Sequence, residues 1–272
     1  MSDPAAHVLP PESTPSPALD AGRFAVLGTP LVATTYAALS DWCHQRARQS
    51  GAVALEFTNT HIVTLRRHDP AFRELTSGYD FFIPDATPLI WCLNRQGAGL
   101  RDRVYGPTFM RECLERTNPE YTHYLLGGSE ECGERLRRRF TRACFVGSYH
   151  GRCDAEGRLA GADDARVLDE LQRLQPDFIW VGLGTPKQDA WVRRNKPRLA
   201  RGVILSVGFA FDVNAGTKPD APPWMQRFGL TWLFRMASEP RRLLGRYVKF
   251  NSLFLYYLLR DRGGKSLSAG PD

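Results

Sequence analysis

From Phe24 onward the chain alternates short apolar runs with longer mixed segments. FAVLG (24–28), VALEF (53–57), YDFFIPD (79–85), THYLLGG (122–128), ACFVGSYHG (143–151), DFIWVGLG (177–184) and GVILSVGFAFD (202–212) are each apolar enough to be covered on both faces, which predicts buried strands. Between them, 31–49, 106–117, 129–142, 163–174 and 186–200 are helix-like. Strand, helix, strand in this rhythm predicts βαβ units, hence an α/β fold: a Rossmann-like, mostly parallel sheet flanked by helices. No fixed-period repeat of the solenoid kind interrupts it.

The two ends differ from this core. Residues 1–20, rich in Pro, Ser and Ala, read as a disordered leader, and 263–272 as a disordered tail. The α/β core is expected over 21–222 and a basic helical appendage over 223–262. After Gly216 comes a proline-broken connection, KPDAPPWM, and the Glu239-Pro240 step opens a last helix, since proline is tolerated in a first turn. On a 3.6-residue period Arg242, Arg246, Lys249, Leu253, Tyr256 and Arg260 share a stripe, while Tyr247, Phe250, Phe254, Leu255 and Leu258 cover much of the rest.

Residues 227–265 hold nine Lys/Arg against Glu239 and Asp261, a net +7 that equals the formal charge of the whole chain. The basicity is therefore local and points to an anionic partner at this end. Such a helix suits the headgroup layer of an anionic membrane; alternatively it packs on the core or on a neighbouring subunit. No nucleic-acid module accompanies the charge, so a nucleic-acid partner is not expected.

Hydrophobic residues at 43% and charged residues at 24% suit a globular core and exclude a collagen, a coiled coil or wholesale disorder. No window approaches the ~18 unbroken apolar residues of a spanning helix. The N-terminus lacks the basic and apolar regions of a secretory signal, so a cytoplasmic location is expected. Six cysteines include no C-x-x-C pair and no histidine at ligand spacing, which argues against a zinc site or a disulfide framework.

Ligands of open α/β sheets bind at the carboxyl ends of the strands. That rule selects Thr58 and Asn59, Asp85, Gly127 and Gly128, then Gly182, Gly184, Thr185 and Gln188, and finally Gly208, Asp212 and Gly216. Glycines at strand-to-helix turns let backbone amides approach a phosphate, although turns also recruit glycine for its positive φ alone. No complete Walker A sequence and no G-x-S-x-G elbow is present. VGLGTPKQ puts Lys187 where a dinucleotide fingerprint wants its third glycine, which leaves a nicotinamide-dependent oxidoreductase as a distant rival.

Three stretches carry a family likeness: FIWVGLGTPKQDAWV (178–192), SVGFAFDVNAG (206–216) and GLTWLFRMASEPRRLLGRY (229–247). With TNTHIVTLRRHDPAFRELTSGYDFFIPDATPL (58–89) upstream, the chain resembles the WecG/TagA/CpsF family of bacterial glycosyltransferases over roughly residues 24–260. The resemblance implies sugar transfer from a nucleotide diphosphate-sugar, usually a UDP-sugar, to a polyprenyl-diphosphate-linked saccharide. It implies inversion at the anomeric carbon, no obligatory metal and no cofactor. The product would feed exopolysaccharide, capsule or cell-wall polymer assembly, made by a protein docked peripherally on the cytoplasmic membrane face; a homo-oligomer is left open.

Inverting transfer needs a carboxylate to take the proton from the attacking hydroxyl, and Asp85 is the candidate; its alternative role is to cap the helix starting near Thr87. Asn59 and Gln188 are candidates for sugar or uracil contacts, or for tying down loop backbone. Asp212 either binds a ribose or sugar hydroxyl or caps its turn. Arg235, Arg242 and Arg246 are candidates for diphosphate contacts, because guanidinium matches phosphate bidentately and neutralises a leaving group. Ordinary structural roles are expected for His61, His68 and His123. The chain departs from the family pattern at Phe57, which stands where the family has Thr, at Ala86 (Gly), Asp189 (Glu), Asp220 (Arg) and Thr231 (Glu). Ala86, Asp220 and Thr231 motivate a second reading, a catalytically weakened nucleotide-sugar-binding partner of a polymer assembly complex. Truncation after Pro222 is expected to leave a folded but poorly active body.

Overall fold

The computed structural model describes residues 19–263. Within them, eight strands form one sheet: β1 (Arg23–Val26), β2 (Thr29–Val32), β3 (Val53–Thr58), β4 (Phe81–Pro84), β5 (Thr122–Gly127), β6 (Cys144–Tyr149), β7 (Phe178–Gly182) and β8 (Val203–Ser206). Their order is β1-β2-β4-β3-β8-β7-β5-β6. Every neighbouring pair is parallel except the β1/β2 hairpin. β3, β7 and β8 are buried almost throughout, as strands covered by helices on both faces must be.

The hairpin departs from the expected pattern. Leu31 and Val32 fall in the stretch read as helix, yet they lie in β2. Leu27 and Gly28 both take positive φ, 49° and 78°, and turn β1 straight back in the manner of a two-residue hairpin. The helix starts only at Tyr36, behind Thr35, whose hydroxyl accepts from the Ala38 N–H. GVILSVGFAFD is likewise split: β8 ends at Ser206, and Ala210–Ala215 is helical. Two helices not read from the pattern, Thr60–His68 and Pro70–Leu75, are started by Asn59 and Asp69, whose side chains accept from the first-turn amides. Most of the expected leader and tail lies outside the described residues. Leu19, counted in that leader, is buried in a short 3-10 turn against the core.

Two apolar layers sandwich the sheet. One holds side chains of Tyr36–Ala47, Gly106–Arg116, Glu130–Arg139 and Ala210–Ala215. The other holds those of Thr60–His68, Thr87–Asn94, Asp163–Leu174 and Lys187–Asn195. The C-terminal segment adds helices Pro223–Arg227, Thr231–Ser238 and Pro240–Gly263, the last beginning at the expected proline.

This last helix packs on Thr60–His68. Phe254 is buried in the second layer, the His61 ring meets Phe250 edge-on at 4.4 Å, and His68 Nδ1 meets the Tyr257 hydroxyl at 2.8 Å. Of the alternatives open from sequence, packing on the core is realised for this face. On the outside, Arg246, Lys249, Tyr256 and Arg260 are exposed, together with Leu244, Val248, Leu255 and Leu259; Leu253 is half-buried, and the Arg242 side chain lies outside the described residues. Among the described residues no helix is long and apolar enough to cross a membrane.

Candidate active site

Parallel strands deliver their carboxyl ends to one edge, and the polar residues there face a common space. Asn59 follows β3 and Asp85 follows β4; the Asp85 N–H donates to the Thr58 carbonyl at 2.8 Å, so the two strand ends are stitched together. Both line a cleft of about 760 Å³ that also takes in His61, Arg103, Tyr105, Arg235 and Arg246. Asn59 spends its carbonyl oxygen on the helix behind it, accepting from His61 and Ile62 N–H, while lining the cleft.

Asp85 does not cap the following helix. Ala86 holds the cap position, with no side-chain bond to the helix end. Asp85 Oδ1 is sealed from solvent and has no hydrogen-bond partner. Burial pushes the carboxyl up to about 7, against the opposing pull of the Arg103 guanidinium, the Gly106 amide and the Arg235 guanidinium. A carboxyl near neutrality on the wall of a cleft is suited to accept a proton at physiological pH.

Arg103 carries no signal in the sequence, because RDRVYGP offers no pattern beyond a polar loop. Its guanidinium donates to the Asp85 carbonyl at 3.1 Å and to Thr231 Oγ1 at 2.8 Å, and lies 4.4 Å from the centre of the Tyr105 ring. Tyr105 in turn donates its hydroxyl to Asp220 Oδ1 at 2.8 Å, and Gln226 Nε2 reaches the other Asp220 oxygen at 3.1 Å. Two of the departures from the family pattern, Asp220 and Thr231, are thus joints between the body and the C-terminal helices. Arg235 is half-buried, its guanidinium 3.9 Å from the Phe209 ring centre, just beyond β8. Arg246 is exposed at the cleft; burial, helped by the Arg246 charge, holds His61 down to about 4, hence neutral. His123 keeps the structural role expected of it, stacked on Phe178 and accepting from the Trp180 indole at 3.2 Å.

The remaining sequence candidates fall elsewhere. Thr58 is fully buried, its hydroxyl spent on the Glu56 carbonyl, so it presents nothing to the cleft. Gln188 is also buried: its Oε1 accepts from the Gly184 N–H at 3.2 Å and its Nε2 reaches Glu56 at 3.4 Å. Of its two candidate roles, tying down loop backbone is the one the geometry contains. Asp212 accepts from Thr217 Oγ1 at 3.1 Å and pairs with Lys218 at 3.4 Å, which closes its own turn. Gly127 and Gly128 border a second hollow of about 500 Å³ with Arg152, Gly182 and Lys187. Gly127 has a packing reason of its own: at φ +111° a Cβ there would fall 2.6 Å from the Gly182 carbonyl carbon on the paired strand.

Next to the cleft lies a closed polar cluster. Tyr79 donates to Asp189 Oδ1 at 3.1 Å and lies 2.8 Å from Ser206 Oγ, and Glu56 faces the same space. Burial pushes Glu56 well above the usual carboxylate range and Asp189 up to about 7.

A doubly covered parallel sheet, with an acid and guanidinium groups converging on a cleft at its carboxyl edge, defines an α/β enzyme of the group-transfer kind. The chain belongs to the WecG/TagA/CpsF family of glycosyl transferases, whose family model matches residues 24–267. It is a glycosyltransferase. Similar proteins include the N-acetylglucosaminyldiphosphoundecaprenol N-acetyl-beta-D-mannosaminyltransferases of Staphylococcus aureus strains MRSA252, MW2 and NCTC 8325 / PS 47. Each is 28% identical over 209 residues, spanning 75% of this chain and 78% of the relative.

Proposed function

We propose that this glycosyltransferase moves a sugar from a nucleotide diphosphate-sugar onto a saccharide carried by a polyprenyl diphosphate, with inversion, in the assembly of a cell-surface polymer. The activity for which the relatives are named supports an N-acetylhexosaminyl donor and an N-acetylglucosaminyl-diphosphate-lipid acceptor. The observation that carries the reading is the Asp85 carboxyl, near neutrality and lining the same cleft as Arg103 and Arg235.

Asp85 takes the proton of the acceptor hydroxyl as its oxygen attacks the anomeric carbon. The bond from that carbon to the donor phosphate oxygen breaks on the opposite face, and the nucleoside diphosphate leaves with the electron pair. Arg235 meets the charge that develops on it, and Arg103, held between the Asp85 carbonyl and Thr231, keeps the acid and the C-terminal helices in register. Arg235 rests on Phe209 just beyond β8, at the carboxyl edge of the sheet. Binding to an anionic membrane face through Arg241, Lys249, Leu244 and Val248 would bring a lipid-held acceptor to the cleft.

The test is incubation with labelled UDP-N-acetylmannosamine, then other UDP-sugars, and a short-chain prenyl-diphosphate N-acetylglucosamine. Lipid-linked disaccharide of inverted configuration is the expected product; folded protein inert with every donor would sink the reading.

A further inference from the structure

The cleft that contains Asp85 is not polar throughout. Its walls also carry apolar groups, with Trp91 of the helix Thr87–Asn94 on the body side and Leu255, Leu258 and Leu259 of the terminal helix on the other. Leu255, Leu258 and Leu259 fall at i, i+3 and i+4 and so share one helical face. Trp91, Leu255 and Leu259 are 59%, 59% and 67% exposed, an arrangement that costs free energy unless something apolar covers them. Phe254 and Tyr257, on the neighbouring face of the same helix, are already committed to the body. Leu258 is half-buried against the same layer, whereas Leu255 and Leu259 are not part of the helix's own docking surface.

The order of groups along the cleft is informative. On the body side Asp85 comes just before the helix Thr87–Asn94 and Trp91 one turn into it, and on the other wall Arg246 precedes Leu255, Leu258 and Leu259 along the terminal helix. A saccharide diphosphate prenol has the same order: hydroxyl, diphosphate, hydrocarbon. At a rise of 1.5 Å per residue, the helix from Arg246 to Leu259 spans about 20 Å, enough wall for the first few isoprene units. We infer that the slot between Trp91 and the Leu255–Leu258–Leu259 face holds the proximal isoprene units of the acceptor, with Arg246 on its diphosphate. The prenyl chain is then gripped by protein before it enters the bilayer. This rests on the transferase reading above, and it gives Arg235 and Arg246 different phosphates to bind.

Two measurements on the full chain test it. Calorimetry compares farnesyl diphosphate with inorganic diphosphate and isopentenyl diphosphate, and steady-state transfer compares farnesyl- with isopentenyl-diphosphate N-acetylglucosamine. Wild-type protein is expected to prefer the farnesyl compound by at least tenfold in both. Leu255→Ser/Leu259→Ser and Trp91→Ala should erase that preference, whereas Leu233→Ser, exposed but outside the cleft, should keep it. Equal binding of the long and short diphosphates, with transfer intact, overturns the slot and leaves the transferase standing. Variants that lose adhesion to phosphatidylglycerol vesicles yet keep the farnesyl preference overturn it in favour of a purely membrane-facing surface. Farnesyl preference in calorimetry without transfer to any acceptor supports the slot and counts against the transferase reading instead.

Discussion

Asp85 and Asp189 are both carboxyl groups that burial pushes up to about 7, one just after β4 and the other in the helix that follows β7 of the same sheet. Asp85 lines an open cleft with guanidinium groups on its far wall. Asp189 is fully buried, bonded to Tyr79, and shares its space with Glu56, Gln188 and Ser206. A perturbed carboxyl marks a working site only where a substrate can reach it. The closed cluster instead anchors the start of Lys187–Asn195 to β3 and β8 and, through Gln188, holds the Gly184 amide in the turn after β7. One half of the edge is left open for chemistry because the other half is locked.

The sharpest way to break this contrast is to neutralise each acid in turn. Asp85→Asn should lower kcat by roughly 10²–10⁴ with donor affinity nearly unchanged, the loss typical of a missing general base. Asp189→Asn should cost less than about tenfold by the same scale. Similar losses in steady-state assays would remove the distinction. In wild type, kcat/KM should rise with pH to a plateau above about 7 as Asp85 deprotonates.

Asp85 also predicts a stability trend of definite sign. Its folded-state value lies above the ordinary carboxylate value, so between about pH 4 and 7 the native state holds a proton that the unfolded chain has released. Stability therefore falls as pH rises through that window. Asp85→Asn should flatten the fall and raise Tm at pH 8, read by thermal melts across pH.

Next in size, Arg235→Ala should lower kcat by roughly 10² or more, as loss of a charge-stabilising donor does. It should also move the pH midpoint upward, because a cation that favours the ionised acid is gone. An unchanged midpoint would place Arg235 too far from Asp85 to matter.

Truncation after Pro222 separates the two regions in another way. The sequence alone leads one to expect an intact body, but the structure buries Leu243 and Phe254 against it and ties Thr231 to Arg103. At about 1.5–3 kcal/mol per buried large apolar side chain, the truncated protein should melt well below the full chain. Tyr79→Phe probes the locked half alone. It should cost about 1–3 kcal/mol in denaturant unfolding, by removing one of the donors to buried Asp189, while kcat changes little. The smallest effect is expected from Arg241→Glu/Lys249→Glu, which should weaken binding to anionic vesicles in sedimentation assays, at about 1 kcal/mol per basic residue, without altering transfer to a short-chain acceptor.

Much of this was legible along the chain. Seven apolar runs announced seven of the eight strands, since a parallel strand buried on both faces has little choice but to be apolar. β2 escaped because TPLV is short and its hairpin depends on positive φ at Leu27, a residue with no turn signature. Asp85 and Asn59 were found by the strand-end rule, and Arg235 and Arg246 by their place in the basic segment. Thr58 and Gln188 met the same rule, and burial removed both from the surface.

Local sequence, then, determined seven of the eight strands, most helices, the parallel fold class and the concentration of positive charge at one end, because each depends on periodicity or composition over a few turns of chain. Tertiary structure decided which acid faces open space, which oxygen lacks a partner, and that a loop arginine, Arg103, bonds both the Asp85 carbonyl and Thr231, the latter 128 positions away. It also decided that the terminal helix commits one face to the body and leaves a second over the cleft. Those properties depend on distances between residues remote in sequence, and on the water excluded when they meet. No stretch of residues read in isolation encodes either.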